Sequence, residues 1–172
     1  MFKKLLPFEE LWYHSSLSKE DLFLHLQNEI EPEKSFGFGM NRHNYSKPYI
    51  GRIFNERFEI KRAINYRNSF LPTIKGEVHN AISGSKIKIK MTIPEFAKVF
   101  MILWLGIVSI ACIGVSINLI INGIDSETEP AVLIPFVMLI IGAAMVSAGF
   151  KTESKKSKKD LEEILQAKMI EN

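Results

Sequence analysis

The sequence predicts an α+β protein. Its core is a cytoplasmic antiparallel sheet of about four to five strands with N- and C-terminal helices, and a two-helix transmembrane hairpin is inserted before the last helix. Three observations predict this. Val99–Ile124 and Pro130–Phe150 are long stretches without a charged residue. Between them and the N-terminus, apolar residues alternate with polar ones from Tyr49 to Met91. On either side of that region, Leu22, Leu26 and Ile30, and then Leu161, Ile164, Leu165 and Met169, recur at helical spacing.

Residues 8–14 (FEELWYH) mix apolar and polar side chains and are read as a first strand. Ser18-Lys19-Glu20-Asp21 offers an N-cap, since the serine oxygen can accept from the free N–H groups of a first helical turn. The apolar spacing carries the helix over 19–30, and Pro32 stops it. Glu33–Pro48, with Gly37, Gly39, Asn41, Asn44 and Pro48, has loop chemistry. Four strands follow. Tyr49–Phe54 is apolar and aromatic, and Asn55-Glu56 makes a tight turn. In Arg57–Tyr66, Phe58, Ile60, Ile64 and Tyr66 share a face that Arg62 interrupts. Phe70–Val78 is broken by Pro72, which confines it to an edge or a bend. Ser83-Gly84 turns into Lys86–Met91, with Ile87, Ile89 and Met91 on one face and Lys86, Lys88 and Lys90 on the other.

Thr92-Ile93-Pro94-Glu95 starts the first long helix near Pro94, by threonine cap and early proline. A helix rises about 1.5 Å per residue, and roughly 20 apolar residues cross a hydrocarbon core about 30 Å thick. Both uncharged stretches reach that length, giving spans over about residues 99–121 and 131–150. Beyond the second span, Ser157-Lys158-Lys159-Asp160 reads as a new cap for a short helix over 159–170. The domain is then 1–93 with 157–172, and the hairpin is 94–156.

Lys86, Lys88, Lys90 and Lys98 precede the first span, and Lys151, Lys155, Lys156, Lys158, Lys159 and Lys168 follow the second. The connecting loop holds only Asp125, Glu127 and Glu129. Basic residues stay on the cytoplasmic side, so both termini are expected in the cytoplasm and the protein in the inner (cytoplasmic) membrane. Met1-Phe2-Lys3-Lys4-Leu5-Leu6 begins as a signal peptide would, but Pro7, Glu9 and Glu10 end the apolar run. No cleaved secretory leader is expected.

Tyr66-Arg67-Asn68-Ser69-Phe70-Leu71-Pro72 and Lys86–Met91, followed by a hairpin, resemble a group of small uncharacterised bacterial membrane proteins over about residues 50–105. The element order also resembles the helix-grip and bacterial PH-like folds. The resemblance implies no activity.

The chain has 172 residues and a formal net charge of +3, too modest an excess to point to nucleic acid, and no nucleic-acid-binding motif accompanies it. His14, His25, His43 and His79 are scattered, the single Cys112 lies inside a span, and no phosphate-binding or nucleophile motif occurs. No catalytic residue, metal site or cofactor is expected. The positive candidates are Lys86, Lys88, Lys90, Lys151, Lys155 and Lys156, as ligands of anionic lipid headgroups. In the hairpin, Gly106, Ser109, Gly114, Ala143, Ala144, Ser147 and Ala148 are candidate helix-packing positions, with Asn118 hydrogen-bonding across the seam. The expected partners are the bilayer, its anionic headgroups or a larger membrane protein. A membrane-anchored binding or accessory module is the leading functional reading. An enzyme or carrier holding an apolar, lipid-like ligand in a cavity lined by Phe58, Ile60, Ile87 and Ile89 is the alternative.

Overall fold

The computed structural model describes residues 7–32, 45–123 and 130–170. Gly37, Gly39, Arg42 and His43, and the acidic loop Asp125, Glu127 and Glu129, lie outside the described residues. The chain divides into two compact units, one of Met1–Pro94 with Gly149–Asn172 and the other of Glu95–Ala148.

The first unit is an α+β sheet domain. Its strands are β1 (Phe8–Ser15), β2 (Ile30–Pro32), β3 (Tyr49–Ile53), β4 (Arg57–Arg62), β5 (Thr73–Asn80), β6 (Ser85–Thr92) and β7 (Ala167–Ile170). They form one seven-stranded sheet in the order β2-β3-β4-β5-β6-β1-β7. All neighbours are antiparallel except β2 and β3, which makes the sheet mixed. The expectation of about four to five antiparallel strands is therefore corrected to seven. The two additions, β2 and β7, are short edge strands. Each forms because a distant strand offers it hydrogen-bond partners: β3 pairs Ile30 with Tyr49, and β1 pairs Ser15 with Ala167. No local periodicity announces such a strand.

Helix α1 (Lys19–Glu29) starts where the cap places it, with Ser18 Oγ accepting from the Asp21 N–H at 3.1 Å. Leu22 and Leu26 are buried. The β5–β6 hairpin turns at Gly84, whose φ of 85° lies in the left-handed region. A Cβ there would come within 2.1 Å of the Ser15 carbonyl oxygen, so glycine is required on two counts. Strand β6 follows the period of two: Ile87, Ile89 and Met91 are completely buried, and Lys86 and Lys90 are exposed. Tyr13, Phe58, Ile60, Ile74 and Val78 complete the inner face.

Helix α3 (Ile134–Ile164) corrects the C-terminal reading. It runs without a break through Phe150 and through the presumed cap at Ser157-Lys158-Lys159-Asp160, and residues 167–170 are strand β7 rather than helix. No glycine or proline follows Gly149 in this segment, so nothing stops the helix, and its Lys, Glu and Leu residues propagate it. It ends at Ile164, and the turn that follows includes Gln166, a non-glycine residue with a φ of 44°. In the sheet unit α3 buries Phe150, Glu153, Ser154, Ser157, Leu161, Ile164 and Leu165, a stripe at three- and four-residue steps. Met91 on the inner face accepts a contact from the Ser154 hydroxyl at 3.5 Å. Lys75, Arg57 and Glu59 on the opposite face are exposed, so α3 covers the inner face and leaves the outer face open.

The second unit is the hairpin of α2 (Glu95–Asn122) and the first half of α3. Helix α2 begins one residue past Pro94 and ends at Gly123, where a φ of 77° provides the left-handed cap. Both helices are long and apolar enough to cross a membrane. Their apolar side chains are mostly exposed, among them Ile107, Ile110, Ile120 and Ile140. A core helix of a soluble protein would bury them.

The inner face predicts a contrast between two isoleucines. Ile89→Ala should cost about 2–5 kcal/mol, because the site is fully enclosed and cannot collapse. Ile82→Ala, in an exposed turn, should stay within about 0.5 kcal/mol of wild type. Denaturant titration of the detergent-solubilised protein measures both.

Candidate functional site

Arg62 is the last residue of β4 and points to the inner face, in register with Tyr49. Its Nη1 donates to Glu153 Oε2 at 2.7 Å, and its Nε lies 3.2 Å from Asp160 Oδ2. Glu153 is only 2% exposed, and its second oxygen accepts from the Tyr66 hydroxyl at 2.5 Å and from Lys156 Nζ at 3.0 Å. The Tyr49 hydroxyl donates to Asp160 at 3.3 Å. A carboxylate taken out of water is costly unless each of its oxygens is hydrogen-bonded, and here both are.

A second clasp of opposite polarity sits on β1. The Glu9 carboxylate takes Lys151 at 2.8 Å on one oxygen and Lys158 on the other. Glu9 and Arg62 thus each bridge two α3 side chains about two turns apart, Lys151 with Lys158 and Glu153 with Asp160. Sliding the helix by one turn would set Lys155 and Glu162 against Glu9, and Ser157 and Ile164 against Arg62. The two clasps therefore specify one register.

The segment after β4 belongs to this site. Asn68 Nδ2 donates to the Gly149 carbonyl at 3.2 Å, and Phe70 packs over Gly149. Burial pushes the Glu153 carboxyl upward, but the hydrogen bonds from Tyr66, Lys156 and Arg62 outweigh it and hold it below its ordinary value. Glu9 is lowered by the same balance, with burial opposed by Lys151, Lys158 and Ser154. Burial pushes the Tyr13 phenol up to about 12 and Tyr49 higher still, so both are neutral donors.

The six candidate lysines divide between the two faces of the sheet. Lys151 and Lys156 are engaged on the inner side with Glu9 and Glu153, and Lys155 beside them is exposed. Lys86, Lys88 and Lys90 are on the outer face. Lys88 pairs with Glu10 at 2.8 Å, Lys86 lies 4.6 Å from the Trp12 ring centroid, and Lys90 stands opposite Glu10 and Lys75. The two sets are not one basic platform.

In the hairpin unit, Trp104 packs on Gly142, where an added Cβ would meet the ring at 2.2 Å. Met101, Val108, Cys112 and Val146 are buried. Gly106 and Gly114 have nothing within 4 Å of an added Cβ. Asn118, Ala144 and Ala148 are exposed, and Ser147 is half-buried. Trp104 and Gly142 are the packing pair that the sequence reading missed. A large ring opposite a glycine was the available signal.

Phe58, Ile60, Ile87 and Ile89 are at most 1% exposed and line none of the described grooves. A groove of about 530 Å³ runs between His25 and Glu29 of α1 and Asp160 and Glu163 of α3, with Arg62 on its floor. Among the described residues no group of three or more His, Cys, Asp or Glu side chains is placed to hold a metal ion. What the inner-face site can do chemically is hold a helix on a sheet.

Removing Arg62 should leave Glu153 buried and short of a partner. Arg62→Met is expected to cost about 3 kcal/mol in a denaturant titration, and Lys156→Met, at a half-exposed position, should stay near wild type. Glu153 and Glu9 have folded-state values below those of the unfolded chain, so their contribution is complete above the unfolded value and is lost as pH falls through the folded one. The thermal midpoint should hold down to about pH 5 and fall below about pH 4.5, and Glu153→Gln should flatten that fall. No protein-family model, curated protein or solved structure matches this chain.

Proposed function

We propose that the protein is an integral membrane protein with two spans in the cytoplasmic membrane and both termini in the cytoplasm, whose sheet domain serves as a binding module. The observation that carries this reading is the exposure of apolar side chains around α2 and the first half of α3. An exposed apolar surface of that extent is stable in hydrocarbon and not in water. Orientation is supported by the flanks: Lys98 before the first span, and Lys151, Lys155 and Lys156 after the second, with no basic residue in the loop between.

A binding role is supported by how the polar groups are spent. Most of those on the inner face pair with one another, whereas the outer face carries exposed Lys, Arg, His and Glu side chains among the described residues. The fully packed Phe58, Ile60, Ile87 and Ile89 favour this reading over a carrier with an enclosed apolar cavity.

Topology is the test. In a Cys112→Ser background expressed in a bacterial host, Ser126→Cys should react with a membrane-impermeant maleimide in intact cells, and Ile82→Cys only after lysis. The protein should stay with the membrane in alkaline carbonate. Release by carbonate, or the opposite labelling pattern, overturns the reading.

A further inference from the structure

The registers of β5, β6, β1 and β7 arrange the outer face in rows. One row runs Glu59, Lys75, Lys90, Glu10, and the next Arg57, Glu77, Lys88, Trp12. In these two rows every cation but Lys90 has an ion pair with an acid: Lys75 with Glu59 at 3.6 Å, Arg57 with Glu77 at 3.1 Å and Lys88 with Glu10 at 2.8 Å. The third row is different. It runs His79, Lys86, His14, Lys168, all four exposed and all directly opposite one another across adjacent strands. Strands lie about 4.8 Å apart, so the row places four basic groups within about 15 Å.

Among the described residues, none of the four has an ion pair with a carboxylate. Glu56, close enough to His79 to feel its charge, is already held by Lys19 at 2.5 Å. Two lysines alternate with two histidines along the row. Trp12 supplies its floor, with Lys86 Nζ 4.6 Å from the indole centroid and the His79 ring at 6.2 Å. Past His14 and Lys168 the row opens into a groove of about 500 Å³, lined also by Ser16, Gln166, Met169 and Ile170.

We infer that this row binds a small phosphorylated organic molecule. The phosphate sits on Lys86, His14 and Lys168, which stand opposite one another on adjacent strands and can each donate an N–H to its oxygens. The uncharged part of the ligand lies in the groove, against Met169 and Ile170 and within reach of the Ser16 and Gln166 side chains. A concave groove continuous with the charged row favours a small molecule over a flat bilayer surface. The site lies wholly within the sheet unit and does not depend on the span topology proposed above.

The experiment uses the full chain in a zwitterionic detergent. In a Trp104→Phe background Trp12 is the sole indole, and its emission is followed during titration with inorganic pyrophosphate and with ADP. A saturable change is expected with both, tighter for ADP because its nucleoside occupies the groove. Lys86→Ala with Lys168→Ala should weaken both by about tenfold or more, and Lys86→Arg with Lys168→Arg should keep them within about threefold. Lys155→Ala, on the other side of the sheet, should change nothing. The three lysines are exposed, so a thermal midpoint unchanged from the Trp104→Phe parent verifies the fold of each lysine variant. Absence of a saturable response to pyrophosphate, or a response unaltered in the double alanine variant, overturns the inference. So does a response seen only in nanodiscs containing phosphatidylglycerol, which would assign the row to lipid headgroups instead.

Discussion

The sheet domain depends on two clasps of opposite sign that hold one helix. Arg62 on β4 takes Glu153 and Asp160, and Glu9 on β1 takes Lys151 and Lys158. Each sheet residue bridges helix positions about two turns apart, and the two pairs lie on opposite flanks of α3. Apolar burial supplies most of the driving force, through Phe150, Leu161 and Leu165 against the inner face, at roughly 1.5–3 kcal/mol per large side chain. Apolar contact is tolerant of sliding; paired charges are not. The clasps turn a generic apolar stripe into a single register.

That constraint organises the rest of the domain. Because α3 must reach both β1 and β4, it crosses the centre of the sheet on its inner side, over Met91 of β6. Among the described residues the outer-face charges are exposed or half-buried, and free of α3. The polar half of α3 therefore consumes Lys151, Lys156 and Lys158 in holding the fold, while the β6 lysines remain on a separate surface. Tyr66 and Asn68 extend the inner-face site by binding Glu153 and the Gly149 carbonyl, which orders the segment between β4 and β5 against the helix.

Much of this was legible residue by residue. The β1 and β6 strands, the Ser18 cap, the Gly84 turn and the start of α2 beside Pro94 all rest on local rules that the structure obeys. Arg62 was visible as the charge interrupting an apolar strand face, and that interruption marked the hub. Its partners were not visible, because they lie about ninety residues away on a helix whose polar face reads as ordinary surface. The continuity of α3 through Ser157 is hidden from the sequence for the same reason. A serine followed by charged residues looks like a cap when isolated, yet within a helix already propagating it is simply part of the stripe, and Ser157 is buried. In the hairpin, small residues alone did not mark the packing: Gly142 is matched by Trp104, whereas Gly106 and Gly114 face open space.

By itself, then, the chain's sequence determined the five inner strands β1 and β3 to β6, helix α1, and that two further helices are apolar enough to leave water. Periodicity, caps and breakers act over a few residues, and they survive without knowledge of the fold. The tertiary structure decided the strand order, the two edge strands β2 and β7, the continuity of α3 and the separation of the lysines onto two faces. Each of these is a pairing between residues far apart in the chain. Whether such a pairing forms depends on what the partner offers in hydrogen bonds and charge, and no local window of sequence contains both halves.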